Sequence, residues 1–469
     1  MACGFLLMPA AIGNRIHGRE ALCRGATGEP PGLLYRALPE LPACVVQRKA
    51  FSHGPRSTMK TQFTAVVILL PVLAARADDA PKRVAALVTE YRHNSHADVI
   101  VGRLIETQTL DGAGVKPRMK LVSLYTDQVP PNDKSRNLAA RYGFRLAPTV
   151  RDALTLGTNS LAVDGILLVA EHGDYPKSAT GQTQYPKRRL FELVAEVVRE
   201  NGAGVPIFID KHLADNFADA RFIYDTARTL KMPLMAGSSL PGCWRQPPVD
   251  VPKGARLRQL LAVSYHTLDA YGFHALEMVQ CLAERRRGGE TGIKAVRALS
   301  GAQVWKARDE GLFDRRLLDA ALARQEALKP PEPAQLPERV IDPVLCCLEY
   351  ADGFRAFVLN LNGAVAEWSA AWSSEENEVQ STLFRVQEAR PFMHFAWLVD
   401  GIDAMMHSHK PAWPAERTLL SSGALHQLLV SLKEGGRRVE TPDLQFSYAV
   451  DWEWKQPPPP PPDRPIDGH

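Results

Sequence analysis

Residues 205–216 read VPIFIDKHLADN, and this stretch decides the fold. Val205 to Ile209 is short, apolar and β-branched, the composition of a strand covered on both faces. Asp210, Lys211 and His212 then arrive together, ahead of the helix-like segment LADNFADARFIYDTARTLK (213–231). Buried strand, polar turn and helix make one unit of a parallel sheet, and ligands bind beyond the carboxyl ends of such strands.

Working outward, the same unit recurs. Upstream lie the strand RVAALV (83–88), the helix HADVIVGRLIET (96–107), the strand KLVSLYTD (120–127) and the helices DKSRNLAARYG (133–143) and PTVRDALTL (148–156). The strand DGILLVA (164–170) and the amphipathic helix YPKRRLFELVAEVVREN (185–201) follow, and PLMAGSS (233–239) supplies a last strand. Ser95 is placed to cap the first helix, with Asp98 three residues on as a capping-box-like partner. The alternation predicts an α/β, Rossmann-like, doubly wound parallel sheet over 82–240. Beyond it the pattern changes. After helical segments around 271–286 and 314–328 come VLCCLEY (344–350), FRAFVLNLN (354–362) and AVAEWSAAW (364–372), separated by Asp352-Gly353 and Asn362-Gly363. Those dipeptides suit tight hairpin turns, so an antiparallel meander is expected, closed by helices at 392–407 and 415–433. The second domain, 241–455, is thus predicted to be α+β with a mainly antiparallel open sheet, whose face is available for a homo-oligomer.

Both ends differ from this interior. Residues 1–58 show no sustained period and read as an extension outside the translated protein. Residues 59–77 have the three parts of a secretory signal: Met59 and Lys60, an apolar core from Ala65 to Ala74, and Ala75-Arg76-Ala77 as the cleavage site. The chain is therefore expected to be exported, to the periplasm or beyond, with a mature start near Asp78. The segment is short for a membrane span, so none remains after processing. At the other end, 456–469 is a proline-rich tail. A net charge of +4 and the lack of a Lys/Arg run with interleaved aromatics argue against a nucleic-acid partner. Cys243, Cys281, Cys346 and Cys347 follow the signal without a C-x-x-C pair, so neither a zinc site nor a redox motif is indicated; a Cys243–Cys281 disulfide stays open.

Three places resemble the glucose-fructose oxidoreductase, inositol dehydrogenase and MocA family. The strand ending in DKHLA (210–214) is similar to that family's strand ending in Glu-Lys-Pro, whose lysine sits at nicotinamide and substrate. YGFHALE (271–277) resembles its Gly-x-His-x-x-Asp segment, whose histidine faces the substrate, and the helix beginning at Glu416 is similar to its closing helix. The resemblance implies an NAD(P)-dependent oxidoreductase acting on a sugar, polyol or cyclitol. It implies Lys211 and His274 as catalytic, with Asp269 as their partner, although Asp269 lies five residues before His274 where the family has four. The turn after the first strand departs further, reading Thr89-Glu90-Tyr91-Arg92-His93-Asn94-Ser95 with no glycine where Gly-x-Gly-x-x-Gly is usual. Arg92 and Ser95 remain as the anion-facing candidates there, and Asp127, ending the second strand, as the ribose partner.

Four polar clusters fall at strand ends or the domain junction: EHGDYP (171–176), DKH (210–212), SSLPGCWR (238–245) and YHTLDAYGFHALE (265–277). They nominate Glu171, His172, Asp174, Tyr175, His212, Trp244 and Arg245 as substrate-binding residues. Two further readings stay open. One is an exported, cofactor-free carbohydrate-binding or otherwise non-redox descendant, with Trp244 stacking on a sugar ring. The other, ranked last for want of H-E-x-x-H spacing, is a metal-dependent hydrolase or isomerase using Glu171, His172, Asp174, His212, His266, His274 and Glu277.

Overall fold

The computed structural model describes residues 80–460. The predicted extension, the signal segment and the last residues of the tail lie outside the described residues.

A six-stranded parallel sheet has the order β3-β2-β1-β4-β5-β6. Its strands are β1 Lys82–Val88, β2 Met119–Thr126, β3 Arg145–Leu146, β4 Gly165–Val169, β5 Ile207–Asp210 and β6 Leu234–Gly237. This is the doubly wound order, and it reverses between β1 and β4, where crevices open at the carboxyl edge. The period of two in β1 shows why both faces are filled. Ala85 and Leu87 point to a core shared with Leu190, Phe191 and Val194 of the Lys187–Asn201 helix. Val84, Ala86 and Val88 point the other way, to Leu398, Val399, Ile402 and Met405 of the Met393–Ser408 helix. That helix belongs to the second half of the chain, yet it covers a face of the first sheet.

The expected helix 96–107 is broken into His96–Ile100 and Gly102–Ile105. Three β-branched residues and then a glycine occupy the junction, all poor helix formers. Ser95 does cap it, accepting from the Asp98 amide, but the Asp98 carboxylate reaches Asn94 N–H and not that of Ser95.

The second sheet has eight strands in the order β14-β9-β10-β11-β8-β12-β13-β7. They are β7 Trp244–Gln246, β8 Leu257–Ser264, β9 Ile293–Ser300, β10 Val344–Tyr350, β11 Arg355–Asn360, β12 Trp368–Ser374, β13 Val379–Arg385 and β14 Val439–Glu440. Strands β10 and β11 form the expected hairpin, with Gly353 at φ +88° in its turn. The meander stops there. Strand β8 inserts between β11 and β12, parallel to the first and antiparallel to the second. Its run Leu260–Val263 is fully buried, and such a strand is at home only with neighbours on both edges and layers on both faces. The sheet is mainly antiparallel and open, with β14 and β7 at its two edges, and both of its faces carry helices. One face packs against the Phe273–Ala283 and Ala415–Lys433 helices, and the other buries Leu261, Phe357 and Leu359 against Leu317, Leu318 and Ala321 of the Arg315–Leu322 helix. The face expected to serve a homo-oligomer is thus covered by the chain itself.

All four cysteines of this region are free and buried, so no Cys243–Cys281 disulfide is formed. Among the described residues, no helix is long and apolar enough to cross a membrane.

Candidate functional site

The carboxyl edge of β4, β5 and β6 gathers the titratable residues. Glu171 follows β4, is buried, and stands between two lysines: its Oε1 is 2.5 Å from Lys187 Nζ and its Oε2 3.2 Å from Lys211 Nζ. Lys187 opens the Lys187–Asn201 helix, where the dipole disfavours a cation, and it is wholly buried. It is held by acceptors on three sides, Glu171, the Asp210 carbonyl at 2.8 Å and the His212 carbonyl at 2.7 Å. Burial alone would raise the Glu171 pKa, but Lys187 and then Lys211 outweigh it and hold the carboxyl well below its usual range.

The triplet 210–212 sends its three side chains to different partners. Lys211 sits at φ +54°, a left-handed conformation that lysine adopts at a cost, and it bridges to Gly237. Asp210 Oδ2 lies 2.6 Å from His96 Nδ1. His212 turns inward, its Nδ1 3.3 Å from Lys187 Nζ, and burial with the Lys187 charge pushes its pKa down to about 3.

From the second domain, the Phe273–Ala283 helix brings His274, whose Nδ1 is 2.6 Å from Ser238 Oγ just past β6. Burial, and then the charges of Lys211 and His96, hold His274 well below its ordinary pKa, so it is neutral. One turn on, Glu277 is fully buried; its Oε1 has no hydrogen-bond partner among the described residues, and burial raises its pKa to about 7. Gly237, at φ +121°, makes room for it: a Cβ there would stand 2.6 Å from Glu277 Oε2. His172 completes the group. Arg92 donates to its Nδ1 at 3.1 Å, and burial followed by the His96 charge keeps the ring neutral, which places the proton on Nε2. That Nε2–H is buried without a partner among the described residues.

The structure therefore brings together Glu171, His172, Lys211, His212 and His274 of the residues nominated from sequence. It also adds Lys187, His96, Asp210 and Ser238. The other nominees have different partners. Asp269 does not meet His274; its Oδ2 accepts from Thr183 N–H and hydroxyl at 3.2 Å and lies 3.3 Å from Lys177 Nζ. Asp174 is exposed and tied by its backbone to Gln128. Tyr175 donates to Asp127 at 2.7 Å. Trp244 is nearly buried, packs against Trp397 and donates to the Pro458 carbonyl at 3.0 Å, which leaves no open ring face for stacking. Arg245 is buried with Asp250 and lies between Phe384 and Trp454. His266 stacks on Tyr271 at 4.6 Å. Among the described residues, no three His, Cys, Asp or Glu side chains form a group able to hold a metal.

The turn after β1 is where a dinucleotide's pyrophosphate would lie. Glu90 is buried there and pairs with Arg92. Ser95 Oγ takes the amides of Arg92 and Asp98, and the Asp98 carboxylate is held by Asn94 N–H, Lys134 and Arg390 at 3.0, 2.8 and 2.8 Å. The amides of Arg92, Asn94 and Asp98 are spent on side chains of the turn itself, and a buried carboxylate, Glu90, stands among them. This donor set does not fit a pyrophosphate seat of the glycine-rich kind. Asp127, the ribose candidate, accepts from Tyr125, Tyr175 and Arg189.

No protein-family model matches this sequence, and none of the curated proteins matches it. Among solved structures, the chain is similar to scyllo-inositol dehydrogenase from Lactobacillus casei, with TM-score 0.49 and 10% identity over 77% of this chain and 98% of that one. It is similar to GenD2 from gentamicin A biosynthesis, crystallised with NAD, with TM-score 0.46 and 13% identity over 77% and 97% of the two chains. Biliverdin reductase from Synechocystis sp. PCC 6803, solved with biliverdin and NADP+, gives 0.43 and 13% over 76% and 99%. The class is defined by the strand orders themselves: a doubly wound, Rossmann-like sheet joined to a mainly antiparallel sheet, with polar residues clustered on the carboxyl edge of the first.

Proposed function

We propose that this crevice takes a sugar, polyol or cyclitol and acts on one of its hydroxyls. The reading is that of an oxidoreductase like the glucose-fructose oxidoreductase, inositol dehydrogenase and MocA family, with NAD or NADP as its redox partner. One observation carries the choice of substrate class: the charges are matched. Lys187, Lys211 and Arg92 are balanced by Glu171, Asp210 and Glu90, Asp210 is bonded to the His96 ring, and His172, His212 and His274 are neutral. Matched charges give a neutral polyhydroxy ligand donors and acceptors without a net field that would favour an ion. Lys211, after its bond to Glu171, keeps donors for a ligand oxygen, and the lone Nε2–H of His172 is another. A hydroxyl beside the Lys211 ammonium loses its proton more readily, and neutral His274 is the acceptor.

A second reading, cofactor-free binding or non-redox chemistry on the same ligands, is favoured by the β1 turn and its buried Glu90. Titration of the protein with NAD(H) and NADP(H), following nicotinamide fluorescence, separates the two. Saturable binding supports the oxidoreductase; no binding at millimolar coenzyme, with a sugar or polyol still bound by calorimetry, supports the second. Binding of neither coenzyme nor any sugar, polyol or cyclitol overturns both. The three-part signal at Met59 further supports export, with a mature start near Asp78. Amino-terminal sequencing of native protein that finds Met1 intact refutes it.

A further inference from the structure

We infer that His96, oriented by Asp210, is a second proton-transfer group of the crevice, one that takes a proton from a ligand hydroxyl. The inference rests on the reading of the crevice as a hydroxyl site. Asp210 closes β5 and is 1% exposed, and its Oδ2 is 2.6 Å from His96 Nδ1. A carboxylate accepts only, so Nδ1 is the protonated nitrogen and Nε2 of the neutral ring is bare. The ring is fixed edge-on between Phe395, at 5.1 Å and 80°, and His172, at 5.4 Å and 64°. Its Nε2 hydrogen-bonds to none of the described residues, and 15% of the side chain is open to solvent.

The titratable groups that interact with the ring come from four places: Asp210 at β5, Glu171 and His172 after β4, His274 from the Phe273–Ala283 helix and His394 from the Met393–Ser408 helix. The charge that His96 carries once protonated acts on Glu171, His172, His274 and His394, which puts the ring inside the cluster. In the step assigned to it, a ligand O–H bond breaks and an Nε2–H bond forms. His96 Nδ1–H stays bonded to Asp210, whose charge offsets the imidazolium; the hydroxyl is a second one, distinct from that whose proton His274 accepts, and its oxygen, left with the electron pair, is met by a remaining N–H of Lys211. Asp210 is the positioning residue, in the geometry by which a carboxylate sets the tautomer of a reactive imidazole.

The test is carbethoxylation of the full chain by diethyl pyrocarbonate, followed histidine by histidine with peptide mass spectrometry. His96 should react well ahead of His172, His212 and His274, and Asp210→Ala should slow it by about five-fold or more while Ser238→Ala leaves it unchanged. Nitrogen NMR of 15N-histidine-labelled wild type should find the His96 proton on Nδ1, a readout that stands even if Asp210→Ala fails to fold. A proton on Nε2, or a His96 rate indifferent to Asp210, overturns the inference. Slowing of the His96 reaction by myo-inositol or sorbitol supports both dyad and proposed function. No slowing by either, with the Asp210 dependence intact, counts against the hydroxyl reading and leaves the oriented dyad standing.

Discussion

Two turns lie on the same edge of the same sheet, after β1 and after β5, and they spend their polar groups in opposite ways. The β1 turn keeps its backbone local: Ser95 and Asp98 take the amides of Arg92, Asn94 and Asp98, and Glu90 pairs with Arg92, which alone of these reaches across the crevice, to His172. The β5 turn hands its side chains outward, Asp210 to His96, Lys211 to Glu171 and His212 to Lys187, each across a gap of at least 25 residues in sequence. A turn whose amides are bound by its own side chains is a structural stop. One whose partners come from other strands is a junction, and its groups are positioned by the whole fold. The position that the fold makes ready for phosphate is thus the one whose amides are taken by its own side chains, and the chemistry has gathered two strands away.

The contrast is sharpest if the β5 side is cut. Glu171→Gln should leave Lys187 buried with no counter-charge and cost about 3–5 kcal/mol in urea unfolding. Should the loss fall below about 1 kcal/mol, the network would be no more than a surface pairing.

Next is pH. His212, at about 3 when folded against 6.5 unfolded, contributes stability that is complete above pH 6.5 and lost as pH falls toward 3. His394 behaves alike. Each adds a slope of about 1.4 kcal/mol per pH unit in that window. Glu277 has the opposite sign. Raised from 4.5 to about 7, it stabilises fully below pH 4.5 and loses that contribution as pH climbs through 7. Glu277→Gln should therefore gain about 3 kcal/mol relative to wild type between pH 4.5 and 8, read from melts at both pH values. A constant difference between the two proteins across that range would rule the buried carboxyl out as the source.

Lys211→Ala tests function more than fold. Affinity for a bound sugar or polyol should drop by on the order of 1.5–3 kcal/mol, the worth of a charged hydrogen bond. Lys211→Gly should lose the same affinity yet melt higher than Lys211→Ala, because glycine relieves the left-handed backbone by about 1 kcal/mol. Equal melting of the two would mean that the φ of +54° is not strained.

The smallest effect belongs to the β1 turn. Glu90→Gln, opposite a partly exposed Arg92, should change stability by about 1 kcal/mol or less and leave sugar affinity unchanged. If the same replacement created NAD(P) binding where wild type has none, Glu90 would be identified as the barrier to coenzyme.

Much of the first domain was legible because its signals are local: apolar runs of strand length, periodic helices, and glycines or caps between them. DKHLA stood out for the same reason, as charge directly after an apolar run. Lys187 did not, because it reads as one of three basic residues opening an amphipathic helix, and only the return of β4 and β5 encloses it. His96 looked like an ordinary helical residue, since Asp210 lies 114 residues away. The family resemblance assigns Asp269 to His274, but a π-helical turn at Leu268–Gly272 carries it toward the Thr183 loop while Ser238 reaches the histidine. The insertion of β8 was beyond local reading too, being a matter of which strand finds which edge.

The tail gives β7 a character of its own. This strand ends the eight-stranded sheet, and along it Gln456 accepts from Arg245 N–H at 3.1 Å, Trp454 donates to the Cys243 carbonyl at 2.9 Å, and Trp244 donates to Pro458. The prolines from Pro457 onward have no N–H to offer. Whatever strand from another molecule approaches this margin meets hydrogen bonds already made and then a stretch unable to donate, so residues 454–460 act as a selvedge that keeps the sheet from growing into its neighbour.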